Sequence, residues 1–170
     1  MVKPASNPGA NKTLKAWIPS LIWLIIIAIE STDLLSSSNE SRLLYPLITF
    51  LFGHIDLDKF MVWNGYLREV GHFVGYFVLS CLQFWAWRAT ILLPNAKWSF
   101  RWARIAFLTT AMVATLDEWH QSFIPSRTGR FHDVVLDSSA ALIAQVIIYF
   151  WLRSRSTSNL ITEAEAQSSS

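Results

Sequence analysis

Residues 68–88 read REVGHFVGYFVLSCLQFWAWR. Arg68 and Arg88 bracket a run, Val70 to Trp87, that holds no Lys, Arg, Asp or Glu. The 20 steps from Arg68 to Arg88 correspond to about 30 Å of α-helix, one hydrocarbon thickness of a bilayer. The stretch therefore predicts a membrane-spanning helix, and the rest of the chain is read against it.

Three more stretches share the pattern. Trp17 to Leu35 (WIPSLIWLIIIAIESTDLL) is spanning length, with Glu30 and Asp33 at its far end. A cleaved signal peptide competes for this segment, because lysines precede the apolar run, but no small-residue cleavage pattern closely follows it. Residues 102–120 form a third span, whose apolar pattern ends on Asp117 and Glu118, and residues 134–152 a fourth, stopped by Arg153 and Arg155. Leu43 to Ile55 is too short to cross and contains Pro46 and Gly53, so it is expected to lie at the interface or dip into the bundle. Residues 1–16 and 153–170 are polar and read as flexible tails, leaving residues 17–152 as one membrane domain.

Composition agrees. Charged residues are 15% of the 170-residue chain, against roughly 25% in soluble domains. A soluble protein of this size has too much surface to cover with so few charges. Nine tryptophans suit interfacial anchoring, with Trp17, Trp63, Trp98, Trp102 and Trp151 near span ends. The expected fold is all-α, an integral bundle of four transmembrane helices. Four spans put both termini on one side. That side would carry nine Lys and Arg residues and the other five, so both termini are expected in the cytoplasm, which places the chain in the cytoplasmic (inner) membrane.

No basic run is dense enough to grip nucleic acid. Cys81, the one cysteine, sits mid-span and reads as a packed thiol. Ser122, Ser126 and Ser138 form no nucleophile constellation. His72, His120 and His132 fall in no tight ligand motif, so neither a metal nor a cofactor is expected.

Topology brings together ionisable residues far apart in sequence. His72 lies one helical turn inside the second span from Arg68, and Asp137 one turn inside the fourth from Asp133. Asp117 stands 13 residues beyond Arg104, about 20 Å along the third helix. Asp117, His120 and Gln121 share i, i+3 and i+4 spacing, and Glu118 pairs with Gln121 at i+3. Arg127 and Arg130 flank Gly129 in the loop above them. All converge on the outer third of the bundle. Ionisable groups inside a membrane face an interior or a cavity, because partners there lower their desolvation penalty. The competing reading is an ion-pair network that sets helix register and binds nothing.

The string DEWHQSFIPSRTGRFHDVVLD at 117–137, with REVGHFVGYFVLS at 68–80, resembles the VanZ-like family of bacterial membrane proteins. The matching residues are Asp117, Glu118, Gln121, Pro125, Arg127, Arg130 and Asp133, and His72, Phe73 and Tyr76 in the earlier element. The resemblance implies the four-span layout and, through the family's namesake, a link to glycopeptide (teicoplanin) resistance in the cell envelope. It implies no particular reaction.

The candidate ligand-binding residues are His72, Asp117, Glu118, Gln121, Arg127, Arg130, Asp133 and Asp137. Two functions remain open. In one, the protein binds an anionic lipid head group or lipid-linked wall precursor, held by the guanidinium forks. In the other, it is an intramembrane enzyme acting on a phosphorylated lipid, with His72 or Glu118 as the catalytic proton carrier. The partners expected are membrane lipids. Oligomeric state stays open.

Overall fold

The computed structural model describes residues 8–32, 37–93, 96–125 and 129–168. Among them are five α-helices and no strand: α1 Pro8–Glu30, α2 Ser37–Phe52, α3 Leu57–Thr90, α4 Phe100–Gln121 and α5 Phe131–Ser168. α3 packs against each of the other four, and α4 and α5 also pack together.

Local chemistry sets several of the ends. Pro8 opens α1, where a missing N–H breaks no helical bond. α1 stops at Glu30, short of the expected 35: the Ser31 amide bonds the Ile27 carbonyl at 2.8 Å, and Thr32 Oγ1 bonds the Ile29 carbonyl at 2.7 Å. Residues 33–35 of that expected span lie outside the described residues. α2 gives way at Gly53, whose φ of 87° is left-handed backbone that glycine enters without penalty. Asp56 caps α3 by accepting the Asp58 amide at 2.9 Å, and Ser99 caps α4 by accepting the Arg101 amide at 3.2 Å.

Three further boundaries differ from the sequence expectation. α3 starts at Leu57, well before Val70. At 34 residues it is about 51 Å long, roughly 20 Å more than a hydrocarbon layer. Asp58, Lys59, Arg68 and Glu69 end the apolar run but not the helix, because Lys, Arg and Glu are good helix formers and an acid such as Asp58 is favoured in the first turn. α2, which contains most of the expected interfacial segment 43–55, packs on this extension, with Tyr45 edge-on to Phe60 at 5.2 Å. Neither expected tail is without structure. Helix begins at Pro8 and continues to Ser168, and the final residues are rich in Ala, Glu and Gln, which favour helix.

Small and polar residues fill much of the interior around the buried Tyr76, Leu79, Phe84 and Trp102, while many large apolar residues face outward. Ala86, Ala106, Ala114, Ala140, Ala141 and Ala144 are fully buried, allowing close backbone approach. Ile18, Ile22, Ile25 and Ile29 on α1, and Leu142, Val146 and Phe150 on α5, face outward. Polar bonds tie the helices. Ser80 Oγ donates to the Ala141 carbonyl at 2.9 Å, Gln145 Nε2 donates to Ser80 Oγ at 2.8 Å, and Trp23 Nε1 donates to the Gly75 carbonyl at 2.8 Å. This pattern suits an apolar solvent, in which interhelical hydrogen bonds and close packing replace the hydrophobic effect. Two helical stretches, Asn11–Glu30 and Phe131–Arg155, are long and apolar enough to cross a membrane.

Trp102 departs from the interfacial expectation. It is buried against Phe84, with its Nε1 donating to the Ile91 carbonyl at 2.8 Å. Trp151 stays at the surface, with the Arg155 guanidinium 4.1 Å from its ring centre. Cys81 is a half-buried free thiol packed on the Phe84–Trp102 cluster.

Candidate functional site

The site forms where the start of the apolar part of α3, the end of α4 and the start of α5 meet. His72 and Tyr76 are one turn apart on α3, with ring centres 6.3 Å apart. On α4, Asp117, Glu118 and Gln121 are buried while Trp119 and His120 are exposed. Adjacent Asp117 and Glu118 point about 100° apart around the helix, so they meet different neighbours. Asp117 accepts the Tyr76 hydroxyl at 2.8 Å. Glu118 lies with His72 and Asp137, the donor atoms of all three falling within 4.8 Å of one another. His72 Nδ1 stands 3.4 Å from Asp137 Oδ2.

The α4–α5 loop folds back over this cluster, and Gly129 permits it. A Cβ on Gly129 would run into the Glu118 carbonyl oxygen and stand 2.9 Å from the Ser122 amide nitrogen. With only hydrogen there, the loop approaches closely enough for the Arg130 main-chain N–H to donate to Glu118 Oε2 at 2.9 Å.

The sequence-predicted residues separate into layers. His72, Glu118 and Asp137 come together in the centre, and Asp117 and Gln121 are buried beside them. Arg130 and Asp133 sit at the rim, lining a cavity of about 180 Å³ with Arg68, Glu69 and His72. Asp133 is half-buried and lies beside His132 at 3.3 Å. Arg127 and Ser126 lie outside the described residues. His120 keeps the side of α4 that it shares with Asp117, toward α1, and meets Ser31 Oγ at 3.1 Å.

Each buried carboxylate meets a different kind of donor. Asp117 is met by a phenol, Glu118 by an amide and Asp137 by an imidazole. Glu118 Oε1, Gln121 Nε2 and Asp137 Oδ1 are buried with no hydrogen-bond partner among the described residues. Buried polar atoms are normally satisfied, so three such atoms in one region mark it as the candidate site.

A second hollow lies on the α1 side of Asp117. α1 and α4 both pack on α3 and leave an apolar groove of about 510 Å³ between them, walled by Leu24, Ile27, Val113 and Leu116 and ending on Asp117 and His120. Neither this groove nor the donor role of Tyr76 is legible in the linear pattern. The i+4 spacing of Tyr76 from His72 is the signal that places both on one face.

The VanZ/LLP1 family model matches residues 16–153. The chain belongs to the VanZ/LLP1 family. No curated protein and no solved structure matches it. In this VanZ/LLP1 chain the matched region runs from α1 into α5 and contains every residue of the cluster. The arrangement can hold an anion at the rim through Arg68 and Arg130, pass a proton between His72 and Asp137, and offer one nitrogen and two carboxylates to a cation.

Proposed function

We propose that this VanZ/LLP1 protein is a four-span protein of the bacterial cytoplasmic membrane, with both termini in the cytoplasm. In this reading it binds an anionic lipid head group or lipid-linked wall precursor in an outward-facing pocket and thereby affects glycopeptide susceptibility. α1 and the first part of α5 are long and apolar enough to cross, and α3 and α4 pack alongside them, which supports four crossings. The excess of Lys and Arg on the side of the termini supports the orientation.

One observation carries the ligand reading: a polar, arginine-rimmed cavity and an apolar groove lie on two sides of the same buried cluster. Asp117 ends the groove, and His72 lines the cavity. Such a pair suits an amphiphile with its phosphate at Arg68 and Arg130 and an acyl or isoprenyl chain along α1 and α4. The approach of His72 to Asp137 favours a second reading, proton transfer during cleavage of a phosphorylated lipid.

Native mass spectrometry of the full chain in mild detergent tests the binding reading. A co-purifying anionic lipid, lost in Arg130→Ala, is expected. Retention of no lipid, or equal retention in the variant, rules it out. Release of product from labelled phospholipid or polyprenyl phosphate selects the enzymatic reading.

A further inference from the structure

His72, Glu118 and Asp137 reach one point from three helices, α3, α4 and α5. Glu118 and Asp137 are only 4% and 0% exposed. Each keeps one buried carboxylate oxygen, Glu118 Oε1 and Asp137 Oδ1, that meets no hydrogen-bond donor among the described residues. A buried carboxylate that is ionised, as a metal ligand must be, needs charge compensation. Within the triad only the imidazole can be cationic, and a single imidazolium leaves one of two carboxylates unbalanced. A divalent cation with a neutral imidazole balances both.

The spacing agrees. Charge-assisted N–H···O bonds close to about 2.7–2.9 Å, shorter than the 3.4 Å between His72 Nδ1 and Asp137 Oδ2. Two ligands on one tetrahedral ion with bonds of about 2.1 Å stand about 3.4 Å apart. The surroundings also suit a metal, because the Arg130 amide holds Glu118 Oε2 at 2.9 Å and leaves Oε1 to ligate.

We propose that His72, Glu118 and Asp137 form a divalent transition-metal site. One imidazole and two carboxylates suit Zn²⁺ or Mn²⁺ better than Ca²⁺, which takes six to eight oxygens. Three protein ligands leave at least one coordination position for water or for an oxygen of an anionic guest. His72 also lines the arginine-rimmed cavity, so this position is within reach of a phosphate held there. The metal site rests on the triad alone and stands whether or not a lipid is the ligand.

The test uses the full chain, free of any affinity tag, stripped with chelator in detergent and titrated with Zn²⁺ or Mn²⁺ alone. Elemental analysis after gel filtration is expected to give about one metal per chain. His72→Ala, Glu118→Gln and Asp137→Asn each weaken binding at least about tenfold, while His54→Ala, at an exposed position outside the cluster, keeps it. Metal also raises the melting temperature of the wild type and not of the three variants, which separates lost ligation from lost folding. Absence of stoichiometric metal at saturation overturns the site. So does undiminished binding in folded His72→Ala and Asp137→Asn. Lipid retention by a chain that binds no metal would overturn the site and leave the ligand reading intact.

Discussion

Tyr76 on α3 donates its hydroxyl to the Asp117 carboxylate on α4 at 2.8 Å, and both side chains are buried. This bond joins two helices beside the His72–Glu118–Asp137 cluster and gives a buried carboxylate a neutral partner.

Tyr76→Phe removes the donor and leaves Asp117 unsatisfied. The expected loss is about 1–3 kcal/mol of stability, read from thermal unfolding of the purified protein in detergent. In the Asp117→Asn background the same change is expected to have a smaller effect, and equal effects in both backgrounds would argue that the bond contributes nothing.

Gly129→Ala forces the loop away from the Glu118 carbonyl and the Ser122 amide. The expected loss is about 1–3 kcal/mol, the range for overpacking, together with loss of the Arg130 contact to Glu118. Gly65→Ala is the control: nothing stands within 4 Å of its added Cβ, and in a helix alanine gains up to about 1 kcal/mol over glycine. Unfolding midpoints of the two variants should therefore move in opposite directions.

Ser80→Ala removes the donor to Ala141 and one of the two acceptors of Gln145 Nε2. In an apolar surround the loss is expected to be about 0.5–2 kcal/mol, with lipid retention unchanged because Ser80 lies outside the pocket. A variant as stable as wild type would show that this step adds nothing to the α3–α5 contact.

Topology is open to a labelling test in a Cys81→Ser background. Exposed Ser122→Cys is expected to react with an impermeant maleimide added to intact cells, and exposed Lys97→Cys only after permeabilisation. The reverse result inverts the orientation. Reaction of both sites in intact cells removes the crossing of α4 between them.

Much of the fold was legible in the residues because hydropathy is local. Apolar runs marked α1, the core of α3, α4 and the first part of α5, and residues 100–121 fell within two residues of the expected third span. The extension of α3 to Leu57 was not legible, since the charges that end an apolar run are compatible with continued helix. Nor were the helical ends at Pro8 and Ser168, where polarity alone suggested loose tails.

For the candidate site, one-dimensional spacing supplied the cast: His72 a turn inside one helix, Asp137 a turn inside another, and Asp117 and Glu118 closing a third. Which of them touch was a matter of helix rotation. The 100° step between neighbours turned Asp117 to Tyr76 and Glu118 to the triad, and no spacing rule says which way α4 faces. Hydropathy and residue identity thus determined the apolar spans and the presence of costly groups near one end of the bundle. The pairing of those groups, the carboxylate oxygens without a partner among the described residues and the groove between α1 and α4 were decided by tertiary packing, because contacts across helices depend on rotation and register that the linear order does not encode.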